Sequence, residues 1–194
     1  MLFKTFKPII IYLSVIFPIM IFYMFSAFNG VCIFYNGFAV DSDKNIYLGK
    51  DSVIQVLSPK GEEIRSLNPI TSRGYEFTII DDLIFVDTGT TLYTMDLYGN
   101  IIQKSDSTGK SGAIFSNGNQ FSCTASDGTN YIMKNIFSRT KICEVNNGEY
   151  KQVYIMPIYD FIAKLSFFLC IISVIVVLPF IIIKCRKIYS FSHM

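Results

Sequence analysis

Two long, unbroken apolar stretches bracket a middle in which short apolar runs alternate with polar turns. From Pro8 to Phe28 the chain carries 21 residues without a charge. At 1.5 Å per residue that is about 30 Å of helix, the thickness of a bilayer's hydrocarbon core. The second stretch runs from about Phe161 to Ile183 and holds 19 uncharged residues after Lys164. Each predicts one membrane-crossing helix, the first kinked at Pro18, which membrane helices tolerate. Lys4 and Lys7 resemble the charged start of a cleavable leader. The apolar run is longer than such a leader uses, however, and bulky Phe25 occupies the minus-three position of the exit after Ala27, so the expectation is an uncleaved anchor. Lys164 stands about one turn inside the second helix, and its stem is expected to carry the ammonium out to the headgroups.

Between the helices the pattern changes to strands. Gly37–Gly49 predicts a strand, a polar turn and a second strand. Val53–Leu57, the turn Ser58–Gly61 and Glu63–Leu67 add a third strand, a hairpin turn and a fourth. The order then recurs. Tyr75–Ile80, Asp81-Asp82, Leu83–Val86, Thr91–Leu97, Tyr98–Asn100 and Ile101–Lys104 form a second copy. A third, weaker copy is Ala113–Ser116, the turn Asn117–Asn119, Gln120–Thr124, Tyr131–Ile136 and Lys141–Val145. Gly61 and Gly99 lie 38 residues apart, and Ile84 and Phe121 lie 37 apart. One period recurring three times marks an internal repeat.

Charge decides which way the chain faces. The chain has 194 residues, 51% hydrophobic and 16% charged, with mean hydropathy +0.41, too apolar for one ordinary soluble domain. All 15 acidic residues fall between Asp41 and Asp160, whereas residues 1–28 and 161–194 carry six basic residues and no acid. That leaves 11 basic against 15 acidic in the middle, net −4, which excludes a nucleic-acid surface there. Lys4 and Lys7 before the first span, and Lys184, Arg186 and Lys187 after the second, place both termini in the cytoplasm. The expected organisation is an N-terminal transmembrane helix over 1–28, an extracytoplasmic β-repeat domain over 29–160, a C-terminal transmembrane helix over 161–183 and a short basic tail over 184–194. A plasma-membrane protein of this kind meets membrane lipid at both spans and at the basic cluster.

The first unit carries a family resemblance. Phe38-Ala-Val-Asp-Ser-Asp-Lys-Asn-Ile-Tyr-Leu-Gly49, followed by Ile54-Gln-Val-Leu-Ser-Pro-Lys-Gly-Glu62, resembles an NHL-type β-propeller blade. The match is good over residues 37–67, fair over 75–105, poor over 112–146 and absent from the spans. Lys44 replaces the turn glycine, and Lys50 stands where an acidic residue is usual. The resemblance implies an all-β domain of propeller-like four-stranded repeats flanked by two transmembrane α-helices, serving mainly as a rigid recognition surface. A blade buries its faces only against neighbours, so three blades leave two ends open. Two arrangements follow: a stack capped by Val31–Tyr35 and Gln152–Met156, or two chains closing a six-bladed ring.

Few residues suggest chemistry. Asp41-Ser-Asp43-Lys-Asn45 begins like a calcium loop, but Ile46 holds the obligate glycine position and Ser52 that of the bidentate glutamate, so a polar turn is expected. Asp81, Asp82 and Asp87 have the makings of a cation site or an acid/base pair, yet Asp81-Asp82 aligns with the blade turn at Asp43-Lys44. The sole histidine, His193, is next to the C-terminus, leaving the middle without the base that a serine or cysteine triad needs. Cys170 lies in the second span and Cys185 beyond it, which leaves Cys32, Cys123 and Cys143 facing outward, an odd number with no closed disulfide framework. Cys123 on the second strand and Cys143 on the fourth are about 10 Å apart, too far for a bond. No catalytic residue, cofactor or metal ligand is assigned.

These features favour a membrane-anchored, non-enzymatic recognition or accessory module that binds a protein, a wall polymer or a small ligand, with a protein partner or a second copy and no nucleic acid. The alternative is a subunit of a two-helix channel, transporter or signalling complex. Ser14, Ser26, Ser166 and Ser173 look too scattered for a pore stripe. Heavy use of Ile, Asn, Lys, Phe and Tyr, with no glycosylation sequon in the insert, suggests a bacterial source.

Overall fold

The computed structural model describes residues 2–29, 31, 34–51, 53–71, 74–107, 115, 121–134 and 139–183. Its contacts divide the chain into two compact units, one of residues 1–33 and 158–194 and one of residues 34–157.

The first unit is a helix pair. Helix α1 runs Leu2–Phe28, continuing through Pro18. Helix α2 runs Ile158–Ile172, passes through a π-helical turn at Ser173–Val177 and stays helical to residue 183. Both are long and apolar enough to cross a membrane. They pack antiparallel: Phe22 and Ser26 meet Tyr159, Tyr23 meets Phe167 and Tyr12 meets Ser173, so rising numbers face falling ones. The inward positions of α1 include Tyr12, Ile16, Ile19, Tyr23 and Ser26, and those of α2 include Ala163, Ser166, Cys170 and Ser173. Both sets alternate steps of three and four, the seam of a left-handed helix pair, and small residues on α2 let the larger side chains of α1 approach.

The second unit consists of three four-stranded antiparallel sheets. Sheet 1 holds β1 (Gly37–Val40), β2 (Ile46–Gly49), β3 (Ile54–Leu57) and β4 (Glu63–Leu67). Sheet 2 holds β5 (Glu76–Ile80), β6 (Leu83–Asp87), β7 (Thr91–Asp96) and β8 (Ile101–Asp106). Sheet 3 holds β9 (Ser122–Thr124), β10 (Asn130–Lys134), β11 (Lys141–Asn146) and β12 (Glu149–Ile155). In each sheet the strands pair in chain order, the meander of a blade. The repeat extends to irregularities: sheets 1 and 2 both shift register near the end of the third strand, at Val56/Leu57 and at Thr94/Met95.

Sheet 1 is the middle layer, because β1 lies against both β5 and β9. Side chains alternate across a strand, and sheet 1 is buried on both faces. Ala39, Tyr47, Ile54, Val56 and Leu67 join Tyr75, Phe77, Ile84, Val86 and Met95 of the sheet 2 side in one core. Phe38, Val40, Ile46, Leu48 and Leu57 are buried on the opposite face, the side where the β3–β4 turn at Gly61 meets Val153 of sheet 3.

The third unit corrects the expected register by one strand. The segment expected as second strand holds the first strand, β9, and the expected third and fourth hold β10 and β11. Gln152–Met156, expected as a separate cap, lies largely in the fourth strand. The reason is a hairpin at Asn147-Gly148, both at positive φ (50° and 85°), the two-residue turn that joins β11 to β12. The strand expected at Ala113–Ser116 and its turn fall, apart from Phe115, outside the described residues, as do Val31–Tyr35 in part, Cys32 and the basic tail.

Candidate functional site

The turns that follow β1, β5 and β9 come together at one end of the three inner strands. Ser42 Oγ, in the turn after β1, donates to Asp82 Oδ1 at 2.9 Å and Oδ2 at 3.1 Å. Lys44 Nζ, from the same turn, pairs with Asp127 Oδ2 at 2.7 Å in the turn between β9 and β10. One short turn of sheet 1 thus holds both neighbouring sheets. Between the turns is a cavity of about 340 Å³ whose lining includes Asp41, Ser42, Asp81, Asp82, Thr124 and Ser126. Asp81 and Asp82 make the whole two-residue turn between β5 and β6, both left-handed with φ of 51° and 57°. That conformation suits Asn-Gly best, and aspartate is among the few other residues that tolerate it.

Electrostatics tie these groups together. The Lys44 ammonium holds the Asp127 carboxyl well below the usual carboxylate range, helped by bonds from Thr129, and Lys44 is itself raised. Asp41 is engaged in its own turn: its Oδ1 accepts from the Asn45 backbone N–H at 2.7 Å and its Oδ2 from the Asn45 side chain at 2.9 Å. Asp96 and Asn100 make the same two bonds in the β7–β8 turn. The Asp41–Asn45 stretch therefore works as a turn clasp. Behind it Tyr47 is fully buried and accepts from Arg65 Nη2 at 3.3 Å. Burial, then nearby Asp41, push its hydroxyl up to about 12.

A second cavity, about 500 Å³, lies at the opposite end of β1 and β5 and is lined in part by Tyr35, Asn36, Tyr75, Glu76, Asp87 and Thr88. Sequence reasoning passed over five of these, Tyr35, Asn36, Tyr75, Glu76 and Thr88. The signal was present, because a two-residue turn at Asp81-Asp82 puts Glu76 directly opposite Asp87. The same register separates Asp81 from Asp87. Asp81 sits in the turn before β6 and Asp87 at its far end, about five residues of strand or about 17 Å apart, well beyond the spacing of paired catalytic carboxylates. That acid/base pair is not assembled.

The remaining sequence candidates are also placed. Cys123 and Cys143 are free. They stand on β9 and β11, with β10 between, and on opposite faces, since Cys123 aligns with Tyr131 and Glu144 while Cys143 aligns with Ile132. Lys164 is 3% exposed and so is covered by protein. It is buried with Ala163 and Ser166 on α2. The serines of the spans are less scattered than expected. Ser173 Oγ donates to Tyr12 Oη at 2.7 Å, Ser26 Oγ to Tyr159 Oη at 3.3 Å, and Ser166 lies on the same seam, whereas Ser14 bonds back to the Ile11 carbonyl. A 470 Å³ apolar cavity adjoins the seam, lined in part by Tyr12, Val15, Ile19, Leu169 and Ser173.

Comparison with known proteins finds no matching family and no matching curated protein. Among solved structures the chain resembles virginiamycin B lyase from Staphylococcus aureus, crystallised as an inactive variant with quinupristin (TM-score 0.33, 12% identity, 63% of this chain and 41% of that one). It also resembles a protein of unknown function from Bacteroides caccae (TM-score 0.29, 13% identity, 63% of this chain and 45% of that one). The chain spans less than half the length of either.

Proposed function

We propose that this chain is a membrane-anchored recognition module without catalytic chemistry of its own, whose β-sheet unit stands outside the cytoplasmic membrane and binds a protein, wall polymer or small ligand. On this reading the three sheets are divergent blades of the NHL type. The observation that carries it is the junction at the inner strands' end, where turns of three sheets frame one polar cavity on a scaffold fixed by the Ser42–Asp82 and Lys44–Asp127 contacts. A site built from several rigid elements suits recognition, and the one acid pair the sequence offered for hydrolysis is split between two ends of a sheet.

Photo-crosslinking from Ser126 in native membranes, read by mass spectrometry, tests it. A discrete partner should be captured from the full chain and lost in D82N. Equal capture by D82N, or no capture beyond neighbouring lipid, counts against the junction as a recognition site. Sidedness is tested separately. A cysteine at Ser58 should be labelled by an impermeant reagent in intact cells, and labelling only after permeabilisation would reverse the topology.

A further inference from the structure

Sheet 1 stands between the other two, so sheets 2 and 3 each turn one face away from it, and alternation along the strands identifies those faces. In sheet 2, Phe77, Ile84, Val86 and Met95 lie in the shared core. That leaves Ile80, Leu83 and Phe85, exposed or half-buried, on the outer side with the buried Leu92. Glu76 and Asp87, direct cross-strand partners, share that side by register. Lys104, the one basic residue in β5–β8, lies on the other side over the ring of Tyr93, which packs on the core.

Sheet 3 has the opposite sign. Cys123 borders the Val40 backbone of β1 and aligns with Tyr131 and Glu144, so that side faces sheet 1. The outer side carries Ile132, Val145 and Tyr150, half-buried or exposed, around the buried Cys143. With them stand Lys134 and Lys141, again direct cross-strand partners, Lys134 lying over the Tyr150 ring at 3.8 Å. Glu144 and Glu149, the acids of β9–β12, fall on the inward side. Both charged pairs also sit at the same end of the unit. Glu76 opens β5 and Lys134 closes β10, at the end away from the turns joined by Ser42–Asp82 and Lys44–Asp127.

We propose that two copies of this chain close into a six-bladed ring, the outer face of sheet 2 in each seated on the outer face of sheet 3 in the other, with Glu76 and Asp87 against Lys134 and Lys141. Like charges directly opposite each other on neighbouring strands repel, and each pair meets its counter-charge on the other copy. Ring closure keeps all blades facing the same way along the axis, so the two pairs arrive at one level. The two faces complement each other and not themselves, which makes the contact head-to-tail and dependent on closure. Two chains of three blades fall within the four to eight that propellers use. A face of four strands by five residues is about 17 by 19 Å, so the four faces of a closed pair bring together about 1,300 Å², a standard-size interface. Gln152–Met156 is largely a strand of sheet 3 and not a cover for it. The assembly does not depend on recognition at the turn junction.

The test is the mass of the full chain in detergent by light scattering, which should be that of two chains of 22.1 kDa. The double variants E76K/D87K and K134E/K141E should each be a single chain, because each then has two outer faces of one sign. Co-expressed, the two variants should pair with each other, since both contacts between them are complementary again, and that recovery also shows that each variant folds. The nearly isosteric E76Q/D87N should raise the dissociation constant of the pair about tenfold or more with the strand circular dichroism unchanged. A single-chain mass for the native protein, a mass that grows beyond two chains with concentration, a pair indifferent to these substitutions, or no pairing in the co-expressed mixture overturns the proposal.

Discussion

A Cβ built on Gly61 would stand 2.6 Å from the Val153 carbonyl oxygen. The turn between β3 and β4 is pressed that closely onto β12, and Gly61 has φ of +82°. Gly148, at φ +85° in the β11–β12 hairpin, has nothing within 4 Å of the same built atom. Alanine at Gly148 therefore meets only the left-handed backbone penalty, about 1–2 kcal/mol. Alanine at Gly61 meets that penalty and a backbone collision that no rotamer relieves. G61A should lower the unfolding temperature of the β unit by several degrees more than G148A, measured by circular dichroism on the full chain. Equal losses would mean that sheets 1 and 3 do not pack through this turn.

How much of this was legible beforehand depended on distance along the chain. Ser58-Pro59-Lys60-Gly61 and Asp81-Asp82 announce their turns locally, and the strands beside them fall within a residue or two of expectation. Asn147-Gly148 is an equally local hairpin signal, but the third unit departs from the period of the first two, and a reading by period places its strands one position out. Ser42–Asp82 and Lys44–Asp127 join residues 40 and 83 positions apart, so they exist only once the sheets have packed, and no pattern in either turn predicts them.

The Lys44–Asp127 pair makes a pH prediction whose sign follows from the shifts. The Asp127 carboxyl is depressed in the folded state, so its contribution is present above the ordinary carboxylate value and is lost as pH falls through and below that value. Lys44 is raised, so its contribution persists at neutral pH and is lost only on the alkaline side of its ordinary value of 10.5. Both groups are exposed and screened by salt. D127N should therefore flatten the stability profile on its acid side, and added salt should reduce the difference between D127N and the native chain at neutral pH. A profile unchanged by D127N would remove the clasp from any role in holding sheet 3 to sheet 1.

Cys123 is half-buried on β9, and burial pushes its thiol up, partly offset by the Val40 backbone. Only the thiolate reacts fast. Maleimide labelling at neutral pH should be slow at Cys123 in the folded chain and rapid after denaturation. A non-reducing digest should contain no peptide joining Cys123 to Cys143, because β10 separates their strands and the two face opposite ways. Finding that peptide would require a different register in sheet 3.

The helix pair is tested through its seam. Tyr12 and Ser173 bond across it at 2.7 Å, and Ser26 meets Tyr159 near the other end. Hydrogen bonds between membrane helices contribute about 0.6 kcal/mol on average, so S173A should loosen the pair only slightly. S173L places a bulky side chain where a buried small one lets Tyr12 approach and should separate the helices. Cysteines introduced together at Ser26 and Tyr159, whose contact is made at the tyrosine's far oxygen, should be joined by a short bifunctional maleimide in a background without native cysteines, whereas cysteines at Ser26 and Ser173 should not. S173L should reduce the first cross-link well beyond the effect of S173A. Efficient cross-linking of Ser26 to Ser173 would mean a parallel pair. It would also put the two chain ends on opposite sides of any membrane the helices cross, and the positive flanks at Lys4, Lys7 and 184–187 would then lose their common explanation.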